Sequence, residues 1–501
     1  MISQLLKPRA LPVTVAVAVA TLWRVWLMGR YAGWEESDYG NLAMIQGVLD
    51  GGFLHYDMNH MPGYYALAAA LHALVQDAVV AGRSVSLLGG IIALGLAVRI
   101  AIQIGGVRAG WFAGLLLTIQ PEFALYASSS LREPVAAAFF LGAVSALGAE
   151  RLRLAGLCAA GVFLVRFDAV LIMAPLMFVH ALGRDDAVRR IRDAFVPLIL
   201  AIFAWALYCR LDHGTWMFWS HSVQVNLETG LGSEAEQPGH WWINGAQVSF
   251  GLVAWLLPWR IGWLPWCGLV AGLWIALRGP HGLLRTLGFQ ALLMVGMWAG
   301  IGFVGQHEPS HNLYWKWLAP IVPVVIPLGI FGLWRLSDSL GRVMGAPAAM
   351  ILALLGLAQA GVSNIKETER QRELSEDWYR PQLDLARWIE AELPPDAVMV
   401  LDNIPACWIR RRPHQRQMIS WFDVPVPSDN PKAFSDWLQR ENVEWVLWFR
   451  ESWTQAPKVA PFLSRGGEWS NDGIQLIERD REDGYGWIWY QVQRIDEGDD
   501  R

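Results

Sequence analysis

The chain has 501 residues, of which 54% are apolar and only 17% charged, which makes it too long for one ordinary domain and too apolar for a typical soluble protein. A formal net charge of −5 provides no basic field for a polyanion, so a nucleic-acid partner is excluded, and the apolar content excludes a disordered chain. The 29 Trp suit an extensive membrane–water interface, and the four Cys contain no CxxC pair, so neither a disulfide framework nor a zinc ribbon is encoded.

Residues 11–29 form an apolar run of spanning length behind Lys7 and Arg9, which reads as a first helix starting in the cytoplasm. A cleaved signal peptide is the rival reading, and it is weakened because the run continues through Trp23, Trp26 and Met28 into a chain with many further apolar segments. Those segments lie near 80–101, 109–126, 134–149, 152–165, 169–182, 194–211, 250–277, 284–304, 314–334 and 344–362, giving about eleven spans in all. Alternate loops concentrate arginine: Arg99 and Arg108; Arg151 and Arg153; Arg184, Arg189, Arg190 and Arg192; Arg278 and Arg285; Arg335 and Arg342. Segments 31–61, 212–249 and 305–313 contain no Lys or Arg and carry acids such as Glu35, Asp38, Glu228, Glu234 and Glu308. By the positive-inside rule the acidic loops face outward, and an odd number of spans puts the C-terminal region outside as well.

Segment 62–76 is apolar but short, and counting it as a span would invert every later loop against the arginine pattern. It is read as a re-entrant or surface-lying helix on the outer face. Residues 364–501 change composition: charge is dense, and a helix-like stretch (384–393) precedes strand-like ones at 397–402, 443–449, 474–478 and 486–493. The expected fold is therefore mainly α, a polytopic transmembrane helix bundle over 1–363 with an outer-face loop at 30–78, followed by a small C-terminal α/β extracytoplasmic domain at 364–501. The Trp residues of that domain are read mostly as core, with a carbohydrate-stacking surface as the alternative.

The residues that carry chemistry cluster after the first span. Glu35, Glu36 and Asp38 precede Tyr39, and Tyr39, Leu42, Ile45, Val48 and Leu49 then recur at helical spacing, so an amphipathic helix follows. Glu35 and Asp38 stand at i and i+3 and share one face if that helix has already begun. The acids either cap the helix and favour its dipole or serve a reaction, by deprotonating an incoming hydroxyl or by holding a divalent cation against a phosphate. His55, Asp57 and His60 follow in the same loop without a metal-ligand spacing, ahead of Pro62, Gly63, Tyr64 and Tyr65.

An acidic cluster ending in Tyr39, a Gly-terminated amphipathic helix and the Pro62-Gly63-Tyr64-Tyr65 helix together resemble the GT-C superfamily of integral-membrane glycosyltransferases, of the protein O-mannosyltransferase and aminoarabinose transferase type. Ala127 to Glu133 resembles that family's segment of small residues followed by an acid, and Val165-Arg166-Phe167-Asp168-Ala169 resembles its Leu-Thr-Arg-Pro-Glu-Ala segment. The resemblance covers most of residues 11–340. It implies a polyprenyl-phosphate monosaccharide donor, an unidentified lipid, glycan or protein acceptor, and inverting transfer on the outer face of a bacterial inner membrane. The family's catalytic acid stands four residues before the Tyr, which maps to Glu35, and Asp38 matches a second commonly acidic position; Glu36 completes the cluster. Metal dependence differs within the superfamily, so no cofactor is assigned, and Glu35 and Asp38 are the carboxylates that would hold a divalent cation.

Transfer from a sugar phosphate passes through an oxocarbenium-like state and needs a base beside the acceptor and a stabilised anionic leaving group. Lys316 puts an ammonium inside the start of a span, next to His307 and His311, and is read as a phosphate contact with snorkelling as the alternative. His60, Tyr64, His311, Arg132, Glu133 and Arg166 are the remaining candidate substrate contacts. Arg166 with Asp168, and Arg132 with Glu133, read equally as ion pairs at helix ends. Arg24, inside the first span, faces either an outer-loop acid or lipid. A transporter or flippase of lipid-linked substrates is the competing class, although the polar residues gather on one side and no matched pair of broken helices is evident. An acyl- or phosphotransferase would need Ser128 to Ser130 as nucleophile, with no base assigned by spacing.

Overall fold

The computed structural model describes residues 10–30, 41–42, 44–45, 48, 61–182, 186–214, 216, 241–280, 282–305, 312–344, 346–401, 417–421, 424–427, 429–449, 456–482 and 487–495. The expected apolar segments are helical apart from breaks at Gln120 and Gly262 among the described residues. In chain order the helices are α1 (Leu11–Arg30), α2 (Pro62–Val75), α3 (Ala78–Ile119), α4 (Pro121–Tyr126), α5 (Glu133–Gly148), α6 (Leu152–Val165), α7 (Val170–Ala181) and α8 (Ala187–His213). They continue with α9 (Trp241–Gly251), α10 (Leu257–Ile261), α11 (Trp263–Arg278), α12 (Leu283–Gly305), α13 (Asn312–Met344) and α14 (Ala346–Glu392). Among the described residues five helices are long and apolar enough to cross a membrane, or six if one sharply bent pair counts as a span.

Helix starts follow local chemistry. Pro62, Pro121 and Pro134 sit in the first turns of α2, α4 and α5, where a missing N–H costs nothing. The Asp77 side chain accepts from the Val80 N–H at the start of α3. Helix α3 is two helices joined at Gly106, whose φ of 81° no β-carbon-bearing residue adopts cheaply. A Cβ on Gly114 would stand 3.3 Å from the Val98 side chain, so the second half folds back along the first. This is the separation expected between 80–101 and 109–126.

Residues 250–277 depart from expectation. Instead of one span, the chain passes through a π-helical stretch at Leu252–Leu256 and bends by 118° between Ile261 and Trp263. Gly262 makes the bend at φ 91°, and its missing side chain leaves room for the Ala360 Cβ, which a Cβ there would meet at 2.6 Å. Average apolarity records the segment's membrane character but not its direction.

Helix α13 is the centre of the bundle, buried from Trp317 through Leu333 despite Pro320, Pro323 and Pro327 within it. Such prolines are tolerated where neighbouring helices take up the freed backbone groups. Helix α11 lies against it at backbone distance: a Cβ on Gly268 would collide with the Gly329 carbonyl, and one on Gly332 with the Gly268 carbonyl.

The helix α14 continues without a break from the apolar stretch at Ala346 across the composition change near 364 to Glu392. Beyond it lies a six-stranded mixed sheet of order β2-β1-β3-β6-β5-β4, formed by β1 (Val398–Leu401), β2 (Gln417–Ser420), β3 (Trp445–Phe449), β4 (Glu468–Asn471), β5 (Ile474–Glu482) and β6 (Trp487–Arg494). Strand β1 runs parallel to β2 and β3, and the remaining pairs are antiparallel. Period-two alternation sends Leu447, Phe449 and Trp489 to one face, against Leu385, Ala386 and Ile389 of α14. Val446, Trp448 and Tyr490 go to the other face, against Phe434, Trp437 and Leu438 of helix α15 (Pro431–Arg440). The Trp421 indole donates to the Leu447 carbonyl at 2.6 Å and Trp448 to the Ala460 carbonyl at 2.9 Å, so these Trp are core, as expected.

Candidate functional site

The segment between α4 and α5 is tied down from several directions. The Ser86 hydroxyl donates to the Leu131 carbonyl at 2.6 Å and accepts from the Leu131 N–H at 3.1 Å. Ser128 donates to the Ala124 carbonyl at 2.8 Å, and Ser128, Ser129 and Ser130 are fully buried, which leaves no exposed hydroxyl for a nucleophile. This turn delivers Glu133 to the start of α5, where the positive helix end favours a carboxylate.

The two local ion pairs expected from the sequence are both present and are joined into one network. Arg132 approaches Glu133 Oε1 at 3.8 Å, and Arg166 reaches the same oxygen at 3.1 Å. Arg166 also forks onto Asp168, with Nε 3.2 Å from Oδ1 and Nη2 3.0 Å from Oδ2. Arg166 can make these contacts because α6 ends at Val165 and the chain extends at Arg166 before the short 3-10 turn Phe167–Ala169. Its guanidinium lies over the Trp317 ring, 4.0 Å from the centroid. Arg166 and Glu133, at the centre of the network, are buried, whereas Arg132 and Asp168 at its edges are half-buried. Glu133 Oε2 is buried without a hydrogen-bond partner among the described residues, which leaves one acceptor of the network unused.

Lys316 precedes Trp317 near the start of α13 and is half-buried. Tyr64, offered as a substrate contact, is fully buried, its hydroxyl donating to the Gly82 carbonyl at 3.0 Å and lying 3.1 Å from Ser86 Oγ. It fastens α2 to α3. Glu35, Glu36, Asp38, His60 and His311 lie outside the described residues. Among the described residues no three His, Cys, Asp or Glu side chains gather as metal ligands, and the two carboxylates named for a divalent cation, Glu35 and Asp38, are not among them.

Of the two readings for Arg24, lipid is not the one observed: the side chain is wholly buried, with Nη2 3.4 Å from the Leu117 carbonyl and its guanidinium 4.8 Å from the centre of the Phe123 ring. One feature escaped the sequence reading. Arg260, at the bend before Gly262, lies 3.0 Å from Glu122 Oε1 and, through Nη1, 3.0 Å from Glu367 Oε1, while its guanidinium covers Trp259. Glu122 and Arg260 are essentially inaccessible. Burial alone would raise the Glu367 carboxyl, but hydrogen bonds from Arg370 and Gln371 and the Arg260 charge outweigh it and hold it below the usual carboxylate range. An arginine two residues before a glycine, within an otherwise apolar stretch, was the available signal for this triad.

A bundle of apolar helices with a buried ion network where α5 and α13 begin and α6 ends, followed by a small mixed sheet, is the architecture of a polytopic membrane protein. No family model matches the sequence, and no curated protein matches it. The chain is similar to the crystal structure of ArnT from Cupriavidus metallidurans in the apo state, at TM-score 0.59 and 16% identity, over 96% of this chain and 97% of that one. It is similar to ArnT from the same organism bound to undecaprenyl phosphate, at TM-score 0.60 and 15% identity, over 96% and 97% of the two chains. The arabinofuranosyltransferase AftD from Mycobacteria aligns at TM-score 0.48 and 12% identity, over 96% of this chain and 41% of AftD. The fold resemblance expected for residues 11–340 thus extends to nearly the whole chain, C-terminal sheet included.

Proposed function

We propose that this protein is a membrane glycosyltransferase that moves a monosaccharide from a polyprenyl-phosphate-linked donor to a lipid, glycan or protein acceptor at the outer face of a bacterial inner membrane. The observation that carries this reading is the network of Arg132, Asp168 and the buried Glu133 and Arg166 against Trp317, next to Lys316, in a fold that has been solved with undecaprenyl phosphate bound. Cationic groups held in place before the substrate arrives stabilise a phosphate leaving group at little reorganisation cost. In this reading Lys316 and Arg132 face the phosphate and Glu35 is the base that takes the acceptor proton, giving inversion at the anomeric carbon. Asp38, with Glu36 beside it, orients the acceptor or shares a divalent cation with Glu35. The chain crosses the membrane about eleven times, with the N-terminus in the cytoplasm and residues 364–501 forming an extracytoplasmic domain.

The test is product formation by purified protein with a radiolabelled polyprenyl-phosphate sugar, comparing wild type with Glu35→Gln and Asp38→Asn. Turnover in wild type, with a loss of at least about 10²-fold in Glu35→Gln and retained folding, supports the assignment. Lipid scrambling unchanged in both variants, with no sugar product at any stage, would move the protein to the transporter class.

A further inference from the structure

The segment Gly245–Ile261 meets α11 through a bend of 118°, so the two axes are inclined by the supplement of that angle, about 62°. Helix α11 runs through the bundle, packed on α13 at its glycines. At about 1.5 Å per residue the preceding segment advances only about 12 Å along the α11 direction, less than half of a hydrocarbon core of about 30 Å. It therefore lies across one end of the bundle rather than through it. Its neighbours set the level. Ser249 donates to the Ala299 carbonyl at 2.7 Å, and a Cβ on Gly245 would stand 2.7 Å from the Phe303 carbonyl oxygen, so α9 crosses the last turns of α12 before Gly305. Arg260, at the other end, is held by Glu122, just past the end of α3, and by Glu367, beyond the composition change in α14. These are the span ends that the arginine pattern puts outside.

The face that this segment leaves uncovered is aromatic. Its large exposed side chains are Phe250, Trp255, Trp259 and, just past the bend, Trp263, with Phe250 and Trp255 72% and 69% exposed. Trp255 and Trp263 meet edge to face across the bend, their ring centroids 5.9 Å apart. Between 241 and 261 there is no Lys, Asp or Glu, and the one arginine, Arg260, is buried. From Trp263 the exposed surface continues along α11 through Cys267, Val270 and Trp274 at helical spacing, the lipid-facing stripe of a span. Helix α8, by contrast, exposes Val196, Ile199, Leu200 and Leu207, an aliphatic surface suited to acyl chains. An indole joins an apolar body to an N–H that wants water or a headgroup, a balance that fits the boundary between the two.

We propose that Gly245–Ile261 is an interfacial element, resting along the membrane–water boundary at the end of the bundle where α11 begins and α12 ends, with Phe250, Trp255, Trp259 and Trp263 inserted where headgroups meet acyl chains. The partner of the aromatic face is the lipid surface itself. Gly262 and the Arg260 ion pairs fix the inclination from the protein side, and the aromatic rings fix the depth from the lipid side. This rests on the membrane reading of the bundle and not on the transfer reaction.

The experiment places a nitroxide on single cysteines of the full-length protein, its four native Cys replaced by Ala, in vesicles of phosphatidylethanolamine and phosphatidylglycerol. Phe250→Cys, Trp255→Cys and Trp259→Cys report on the segment. Leu292→Cys, exposed midway along α12, reports on the acyl core, and Lys432→Cys, exposed on α15, reports on water. Collision with oxygen and with a water-soluble nickel chelate gives the depth of each label. The three segment labels are expected about 5–10 Å into the headgroup–acyl boundary. Those at positions 250 and 259 should differ in depth by no more than about 7 Å, where a helix along the membrane normal would separate them by about 13 Å. Benzoylphenylalanine at the same three positions of the otherwise native chain should photo-crosslink to lipid. A depth difference of about 13 Å, or no lipid adduct at any of the three positions, overturns the proposal. Chelate access equal to that at position 432, with position 292 still shielded, overturns it alone and leaves the face to water or a soluble partner. Chelate access at position 292 as well overturns the membrane reading, and the proposal falls with it.

Discussion

Arg166 stacks its guanidinium on Trp317 at 4.0 Å while its edge grips Glu133 and Asp168 at 3.1 and 3.0 Å. One side chain thus links the end of α6, the start of α5 and the start of α13. Removing it outright would strand the buried Glu133 carboxylate and the half-buried one of Asp168, so Arg166→Lys is the informative change: it keeps the charge and loses the planar fork. Turnover of the polyprenyl-phosphate sugar is expected to fall about 10²-fold in Arg166→Lys. Trp317→Leu loses a desolvated cation–π contact of about 1–2 kcal/mol and is expected to cost about tenfold, both read as kcat/KM.

Arg260 joins Glu122 and Glu367 at the bend before Gly262. Arg260→Met leaves both carboxylates without that cation and is expected to destabilise the folded protein by about 3–5 kcal/mol. Arg260→Met combined with Glu122→Leu removes the stranded charge as well as its partner, and should recover a large part of the loss. Thermal unfolding of the two single variants and the double variant, treated as a cycle, measures the coupling.

The depressed Glu367 carboxyl makes stability depend on pH with a fixed sign. Its folded pKa lies below the unfolded value, near 4.3, so its contribution is complete above that value and is lost as pH falls through the folded one. Wild type is therefore expected to lose unfolding temperature more steeply than Glu367→Gln between about pH 5 and pH 3. Parallel acid limbs in the two proteins would contradict this.

Gly262 combines a φ of 91° with a space that the Ala360 methyl already fills. Gly262→Ala is expected to cost about 1–3 kcal/mol, seen as a lower unfolding midpoint. Adding Ala360→Gly should restore only the steric part of that loss, because the backbone conformation stays unfavourable.

Much of this architecture could be read from the sequence because apolar runs, turn glycines and arginine-bearing loops are local signals. The fold-back at Gly106 was visible as two apolar segments flanking Arg99 and Arg108, and four of the six strands as alternating or continuous apolar stretches. Strands β2 and β4 were missed because four residues of mixed polarity, such as Gln417–Ser420, carry no period of their own. The pairs Arg132–Glu133 and Arg166–Asp168 were legible as neighbours, whereas the Glu133–Arg166 bridge and the Trp317 stack depend on long-range packing. The same holds for Arg260, whose partners come from two distant stretches.

The glycine contact between α11 and α13 has a mechanical consequence. With Gly268 against Gly329 and Gly332 at backbone distance, neither helix can slide or roll on the other without driving carbonyl oxygens into main-chain atoms. The pair therefore behaves as a fixed wall, and under the proposed function a prenyl chain that reaches the charged corner enters along another seam.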